Sequence, residues 1–261
     1  MPLAYVICTS PRSGSTLLCQ GLSKTGRAGM PDEFFDHREQ VAAHWVKRFG
    51  IRERSDFANK IVGATSTPNG VFGTKLHWTT HADMHREFAE SLAQRVPDSP
   101  RQSLNELLLA KFSTVRYIWL RRQNKVAQGI SHFRATRSDF WQIPKGHRGG
   151  EKRATYDALE FDFRAIDRTI AWAYEYDRQW ANYFRHHALT PLQLAYEELV
   201  ASYDATIRKV LDFLEIPHFD LPKVELPLER MADQKSFEWG EKYREIMDEN
   251  AEKLRLRDAG V

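Results

Sequence analysis

Cysteine is almost absent: Cys8 and Cys19 are the only two in 261 residues. Lying in a strand-like and a helix-like apolar run, they exclude a disulfide framework. They fit small buried side chains in a reducing compartment, so a cytoplasmic location is expected. Long apolar runs are missing as well. Nothing reaches the ~20 residues of a membrane span, and the apolar run over 3–8 is too short, and lacks the basic flank, for a secretory signal. A dominant charge is also lacking, since 38 Lys+Arg against 35 Asp+Glu leave only +3. Without a run of like charge, that excess excludes a nucleic-acid tail and suits one multiply charged small anion in one pocket. Two nucleotide signatures are missing too. No Lys stands where G-x-x-x-x-G-K-[ST] requires it, and Gly14 and Gly21 are too far apart for G-x-G-x-x-G. A cysteine-phosphatase loop is excluded because Gly14, not Arg, stands six residues after Cys8. There is no internal repeat and no low-complexity block.

What is present is concentrated near the start of the chain. Residues 3–8 form a short apolar run with β-branched members, the pattern of a buried strand. Ser10-Pro11-Arg12-Ser13-Gly14 breaks it, and Leu17, Leu18 and Leu22 then recur at helical spacing. A strand, a Gly-containing loop and a helix start make an anion cradle, because the first N–H groups of a helix lack internal partners and its dipole favours negative charge. Ser13, Ser15 and Thr16 add hydroxyls, and Arg12 adds a fixed cation suited to phosphate or sulfate oxygens.

The next segment, Met30-Pro31-Asp32-Glu33-Phe34-Phe35-Asp36-His37, leaves the first helix and must return across the sheet edge. Two readings are open. Glu33 or Asp36 serves as a base for a hydroxyl proton, with Phe34 and Phe35 stacked on a sugar face; or Pro31, Asp32 and Glu33 form the first turn of a helix. Residues 39–62 read as two amphipathic helices, Thr67-Pro68-Asn69-Gly70 as a turn, and Val71–Leu76 as a second core strand. A helix is predicted over 78–96, with His77, His81 and His85 at one-turn spacing; no acid or cysteine completes a metal set beside them. Pro97 to Pro100 reads as a linker, followed by a helix through Leu104, Leu107, Leu108 and Phe112.

Val115–Leu120 is the clearest strand, running into Arg121-Arg122, then Asn124 as an N-cap and a helix with Val126, Ile130 and Phe133 on one face. An Arg at a strand's carboxyl end and a Ser on the next helix converge outside the sheet, where open α/β sheets bind ligands. Arg122 and Ser131 are the candidates, with Arg121 the alternative. Residues 142–153, rich in Gly and cations, read as a lid loop or a plain loop. A long helix with an aromatic stripe is predicted over 156–187, a short strand over 192–195, a helix from Tyr196 through Leu214, and a final helix from Phe237.

Pro11-Arg12-Ser13-Gly14-Ser15-Thr16 resembles the 5′-phosphosulfate loop of sulfotransferases, P-[KR]-[ST]-G-[ST]-[ST]. Together with Glu33-Phe34-Phe35, Thr67 to Val71, Gln128 to Ala135 and Leu228 to Lys235 with Trp239, it makes nearly the whole chain resemble the mycobacterial trehalose 2-sulfotransferase family of bacterial carbohydrate sulfotransferases. The resemblance implies an α/β fold, a doubly wound parallel sheet flanked by helices, as one domain over 1–261 with a C-terminal helical annex. It implies 3′-phosphoadenylyl sulfate (PAPS) as donor, no metal, and a homodimer. Donor contacts are expected from residues 11–16, Arg122, Ser131, Gln234 and Lys235. Glu33 is implied as the general base, and acceptor contacts fall on Glu33, Phe34, Phe35, Asp36 and Trp45. Burial is expected to raise the Glu33 pKa toward neutrality. The family pattern carries Gln where this chain has Pro11, so trehalose, a related saccharide and a glycolipid glycan are all open as acceptors. A P-loop-like kinase or NTPase and a non-catalytic binding protein are the alternatives.

Overall fold

The computed structural model describes residues 2–92, 102–143, 146, 150–228 and 231–258. The apolar runs form four parallel strands: β1 (Leu3–Thr9), β2 (Val71–His77), β3 (Thr114–Arg121) and β4 (Leu192–Ala195), in the order β2-β1-β3-β4. β1 is central, with Leu3 opposite both Val71 and Thr114, and Thr9 opposite His77 and Leu120. Its seven residues are all buried, which is why it reads as a continuous apolar run rather than an alternating one. The winding reverses between β1 and β3, so the sheet is doubly wound, as expected.

Two compact units share the chain. The first comprises Met1–Arg121 and Tyr176–Leu226; the second, Arg122–Glu175 and Pro227–Val261. In the first, α1 (Ser15–Lys24), α2 (Glu39–Phe49), α3 (Phe57–Thr65), α4 (His81–Leu92) and α5 (Leu104–Leu109) accompany the sheet. One sheet face, carrying Ala4, Val6, Cys8, Phe72, Tyr117 and Trp119, packs on Phe34, Phe57, Phe88, Leu107 and Trp180. Each such fully buried aliphatic or aromatic side chain contributes about 1.5–3 kcal/mol. Tyr5 and Ile7 point to the opposite face. There Tyr5 lies across Gly73, where an added Cβ would stand 2.3 Å from the ring, and its hydroxyl donates to the Ala28 carbonyl at 2.6 Å. Cys8 and Cys19 are buried and free.

The segment after α1 does not become a helix. Gly29 to Glu33 runs along the outer edge of β2, where Lys75 N–H and the Thr74 hydroxyl donate to the Asp32 carbonyl at 3.0 and 3.1 Å. Covering an open strand edge satisfies backbone groups that a first helical turn would leave unpaired. That pairing decides against the Pro31-first helix.

In the second unit, α6 (Lys125–Ser138) starts at Asn124, whose side chain accepts from Ala127 N–H at 2.9 Å, as the sequence predicts. The predicted long helix over 156–187 is instead the end of α7 (Gly150–Ala158) and the whole of α8 (Phe163–His186), because Asp162 caps a new start by accepting from Ala165 N–H at 3.0 Å. Lys152 and Arg153 of the expected lid lie in α7, paired with Asp139 and Asp157; residues 144, 145 and 147–149 of it lie outside the described residues. So does the Pro97 to Pro100 linker. α9 (Tyr196–Ala201) and α10 (Tyr203–Phe213), in the first unit, break at Ser202 what reads as one helix. α11 (Gln234–Asp258) begins three residues before the predicted Phe237. Its start is clamped by Arg134 of α6, fully buried, stacked 3.7 Å from the Tyr156 ring and donating to both Asp233 oxygens at 2.6 and 3.1 Å.

Candidate active site

The carboxyl end of β1 stands at the switch point of the sheet, where the loop to α1 begins. Arg12 has φ 64° and Gly14 φ 87°. The left-handed conformation costs Arg on the order of 1 kcal/mol, and turns of this kind gather backbone N–H groups into an anion-binding concavity. Gly14 is the N-cap of α1; no side chain caps the helix and no acid lies in its first turn. The positive helix end is therefore not offset by a carboxylate of its own. Ser13 is fully buried, its hydroxyl bonded to that of Thr9, and the Thr9 hydroxyl donates to the Leu120 carbonyl at 3.0 Å. The loop is thus pinned to β1 and β3 together. Ser15 is buried, while Pro11, Arg12, Gly14 and Thr16 are half-buried.

One strand over, Glu33 is held by two basic side chains of β2. Lys75 Nζ lies 3.1 Å from its Oε2 and His77 Nε2 3.3 Å from its Oε1. Its backbone is fixed as well: Glu33 N–H donates to Asp32 Oδ1 at 2.8 Å, and Trp45 Nε1–H donates to the Glu33 carbonyl at 3.1 Å. Burial pushes the carboxyl up, but the charge and hydrogen bond of His77, and then those of Lys75, outweigh it and hold Glu33 well below the usual carboxylate range. The expected rise toward neutrality is therefore reversed, because the two β2 partners together outweigh the effect of burial. Burial pushes the Lys75 ammonium down, and the Glu33 charge more than restores it. A carboxyl depressed on folding contributes stability above its unfolded value of ~4.3 that is lost as pH falls toward the folded one. The melting temperature is expected to drop below about pH 4 and to drop less steeply in Glu33→Gln, as calorimetry against pH will read.

Lys75 and His77 escaped the sequence reading, which gave His77 to a helix with His81 and His85. Only His81 and His85 share a helix, α4. His77 ends β2, whereas His81 stacks on Trp78 at 5.1 Å and His85 Nε2 meets the Gln102 carbonyl at 2.7 Å. The available signal was a charged residue inside the buried run Val71–His77, which requires a partner.

The remaining predicted residues divide. Phe34 and Phe35 are 2% and 1% exposed, Phe34 against Trp45 at 4.9 Å and Phe35 against Phe88 at 5.6 Å. Neither ring offers a face to a sugar, which corrects the stacking expectation; an aromatic pair beside a functional acid is here core. Asp36 is buried and accepts from Arg38 Nε–H at 2.8 and 3.0 Å. Trp45 is buried and acts on the Glu33 backbone. Arg121 lies 4.1 Å from the Trp119 ring and donates to Gln193 at 2.9 Å. In the second unit Arg122 precedes α6 and Ser131 lies in its second turn, both half-buried. At the start of α11, Gln234 donates to Glu238 at 3.1 Å and Lys235 to the Asp157 carbonyl at 2.6 Å.

The chain thus presents a doubly wound parallel sheet with a helix-opening loop at its switch point and a carboxylate fixed beside the adjacent strand β2, the place where open α/β sheets bind ligands. The sequence model of the Stf0 sulphotransferase family matches residues 4–246, and the chain belongs to that family. Trehalose 2-sulfotransferase of Mycolicibacterium smegmatis is 29% identical over 93% of this chain and 95% of its own length. The enzyme of the same name from Mycobacterium tuberculosis is 27% identical over 92% and 94%. The solved sulfotransferase domain of the Synechococcus PCC 7002 olefin synthase aligns with 94% of this chain and 87% of its own, at TM-score 0.43 and 16% identity. Among the described residues no helix is long and apolar enough to cross a membrane.

Proposed function

We propose that the protein moves a sulfuryl group from PAPS to a saccharide hydroxyl by in-line transfer, with Glu33 as general base and no metal. What supports this most is a carboxylate held one strand from an uncapped anion loop, in a chain whose family is the sulphotransferases. The acceptor is trehalose, the sugar in the names of both relatives, or a related saccharide or glycolipid glycan. A kinase or NTPase is not favoured, since the family is of another kind and the loop lacks the phosphate-binding Lys.

The donor supplies an activated sulfuryl group whose leaving phosphate gains negative charge as the S–O bond breaks. Arg12 and the N–H groups of residues 13–16 stabilise that charge more as it grows than before, which lowers the barrier rather than merely binding the donor. Glu33 removes the acceptor proton on the other side of sulfur. Arg122 and Ser131 take the 3′-phosphate, with Gln234 and Lys235 as further donor contacts. Glu33, with Asp36 and Trp45 behind it, forms the acceptor side. The working form is assigned as a cytoplasmic homodimer.

Thermal stabilisation by adenosine 3′,5′-bisphosphate, followed by a labelled-sulfate screen of saccharides, tests the reading. No stabilisation and no transfer would overturn it. Arg122→Ala is expected to weaken that bisphosphate by several-fold or more, while Arg121→Ala, whose guanidinium is spent on Trp119 and Gln193, leaves it unchanged. Calorimetric titration reads both, and the reverse order would move the 3′-phosphate role to Arg121.

A further inference from the structure

The cations on Glu33 are more than a buried lysine's need for a partner. Lys75 and His77 are two residues apart on β2, so they project to the same side of the strand. Each takes a different oxygen of the carboxylate, Oε2 at 3.1 Å and Oε1 at 3.3 Å. One oxygen would suffice to satisfy one ammonium; two partners on two oxygens fix the plane of the group as well as its place. His77 does a second thing. Its Nδ1 stands 3.4 Å from the carbonyl of Thr9, the last residue of β1, and that carbonyl also accepts from Trp180 Nε1–H at 3.1 Å. Thr9 immediately precedes the anion loop and is bonded to Ser13 within it.

We propose that Lys75 and His77 are positioning residues for the transfer, fixing both oxygens of Glu33 and tying that carboxylate to the strand end from which the anion loop springs. The role rests on Glu33 being the base. The two partners make Glu33 a weaker base, so the arrangement trades proton affinity for aim. Aim matters because a 1 Å misplacement of a reacting group costs ~10²-fold, whereas by Brønsted behaviour a loss of base strength enters the rate only in part. In the step itself the acceptor proton passes to a Glu33 oxygen while the acceptor oxygen bonds to sulfur. The bond from sulfur to the phosphate oxygen breaks with its electron pair on that oxygen. Lys75 enters the step as an ammonium, because the Glu33 charge outweighs the effect of its own burial.

Among the described residues, further charged or titratable groups acting on Glu33 are Asp32 and Arg38 of its own segment and the Cys19 thiol of α1. Burial pushes that thiol up to about 12, so it is uncharged over any working range.

Lys75→Met tests the role with two readouts. Turnover is expected to fall ~10²-fold with the donor KM and bisphosphate binding unchanged. The Glu33 carboxyl, followed by carbon-13 NMR, is expected to titrate higher, toward its ordinary ~4.3. Lys75→Arg, which keeps the charge, is expected to restore most of the turnover. His77→Gln is expected to move both readouts in the same direction and serves if the Met variant does not fold. Unchanged turnover, or a Glu33 titration that stays put in both variants, overturns the positioning role alone. A shifted titration in a protein whose turnover ignores Glu33→Gln overturns the functional reading and this role with it.

Discussion

Glu33→Gln is expected to lower kcat by at least ~100-fold, the scale of a lost general base, while binding of adenosine 3′,5′-bisphosphate stays within a factor of two or so. The amide keeps the shape, and its single oxygen can still accept from one of Lys75 and His77, but it has no lone pair basic enough to take a hydroxyl proton. Donor binding is spared because Arg12, Gly14 and the first turn of α1 belong to another segment, pinned directly through Ser13 and Thr9 to β3 and linked to Glu33 only by way of His77. The variant also gives up the ion pairs to β2, so its acid limb of stability flattens, as argued above. Kinetics and calorimetric titration on the same preparation separate the two effects. If turnover is retained, another group takes the proton; if binding is lost with it, Glu33 is structural.

The second large effect is Gly14→Ala. At φ 87° an L-residue costs about 1–2 kcal/mol, and the added Cβ would sit 2.5 Å from Cδ2 of Tyr196 on α9. For a chain of this size each kcal/mol lowers the melting temperature by about 2–4 °C, so a fall of several degrees is expected. Function suffers more than stability, because any shift that relieves the contact turns the N–H groups of residues 13–16 away from the anion. Turnover is expected to fall at least ~10²-fold, and the bisphosphate no longer to stabilise the protein. The double variant Gly14→Ala, Tyr196→Ala removes the contact but not the backbone cost. It is expected to regain part of the melting temperature and none of the turnover. A stable, active Gly14→Ala would mean that the loop binds nothing.

The loop, the four strands and the Asn124 cap were readable because each is specified within a few neighbouring residues. A buried parallel strand is a continuous apolar run, and a cap is one side chain and one N–H. The misreadings arose where distant groups decide. Pro31-Asp32-Glu33 has the chemistry of a first helical turn, and only the open edge of β2 draws it into an extended strip. Phe34 and Phe35 look like a stacking platform until Trp45, Phe57 and Phe88 are known to surround them. Lys75 and His77 were visible as residues but not as a pair, because their common partner lies about forty positions upstream in the sequence. Asp162 and Ser202 broke helices that periodicity carried through, since a cap or kink costs the apolar pattern nothing.

The two thiols have a practical consequence. Cys8 lies inside the central strand and Cys19 inside α1, both enclosed, and desolvation keeps both protonated at any ordinary working pH. Alkylating reagents attack the thiolate and need access to it. A single cysteine introduced on the surface, for instance at the exposed Asp139, therefore becomes the one site that a maleimide dye or spin label reaches in the native fold, with no need to remove the natural pair.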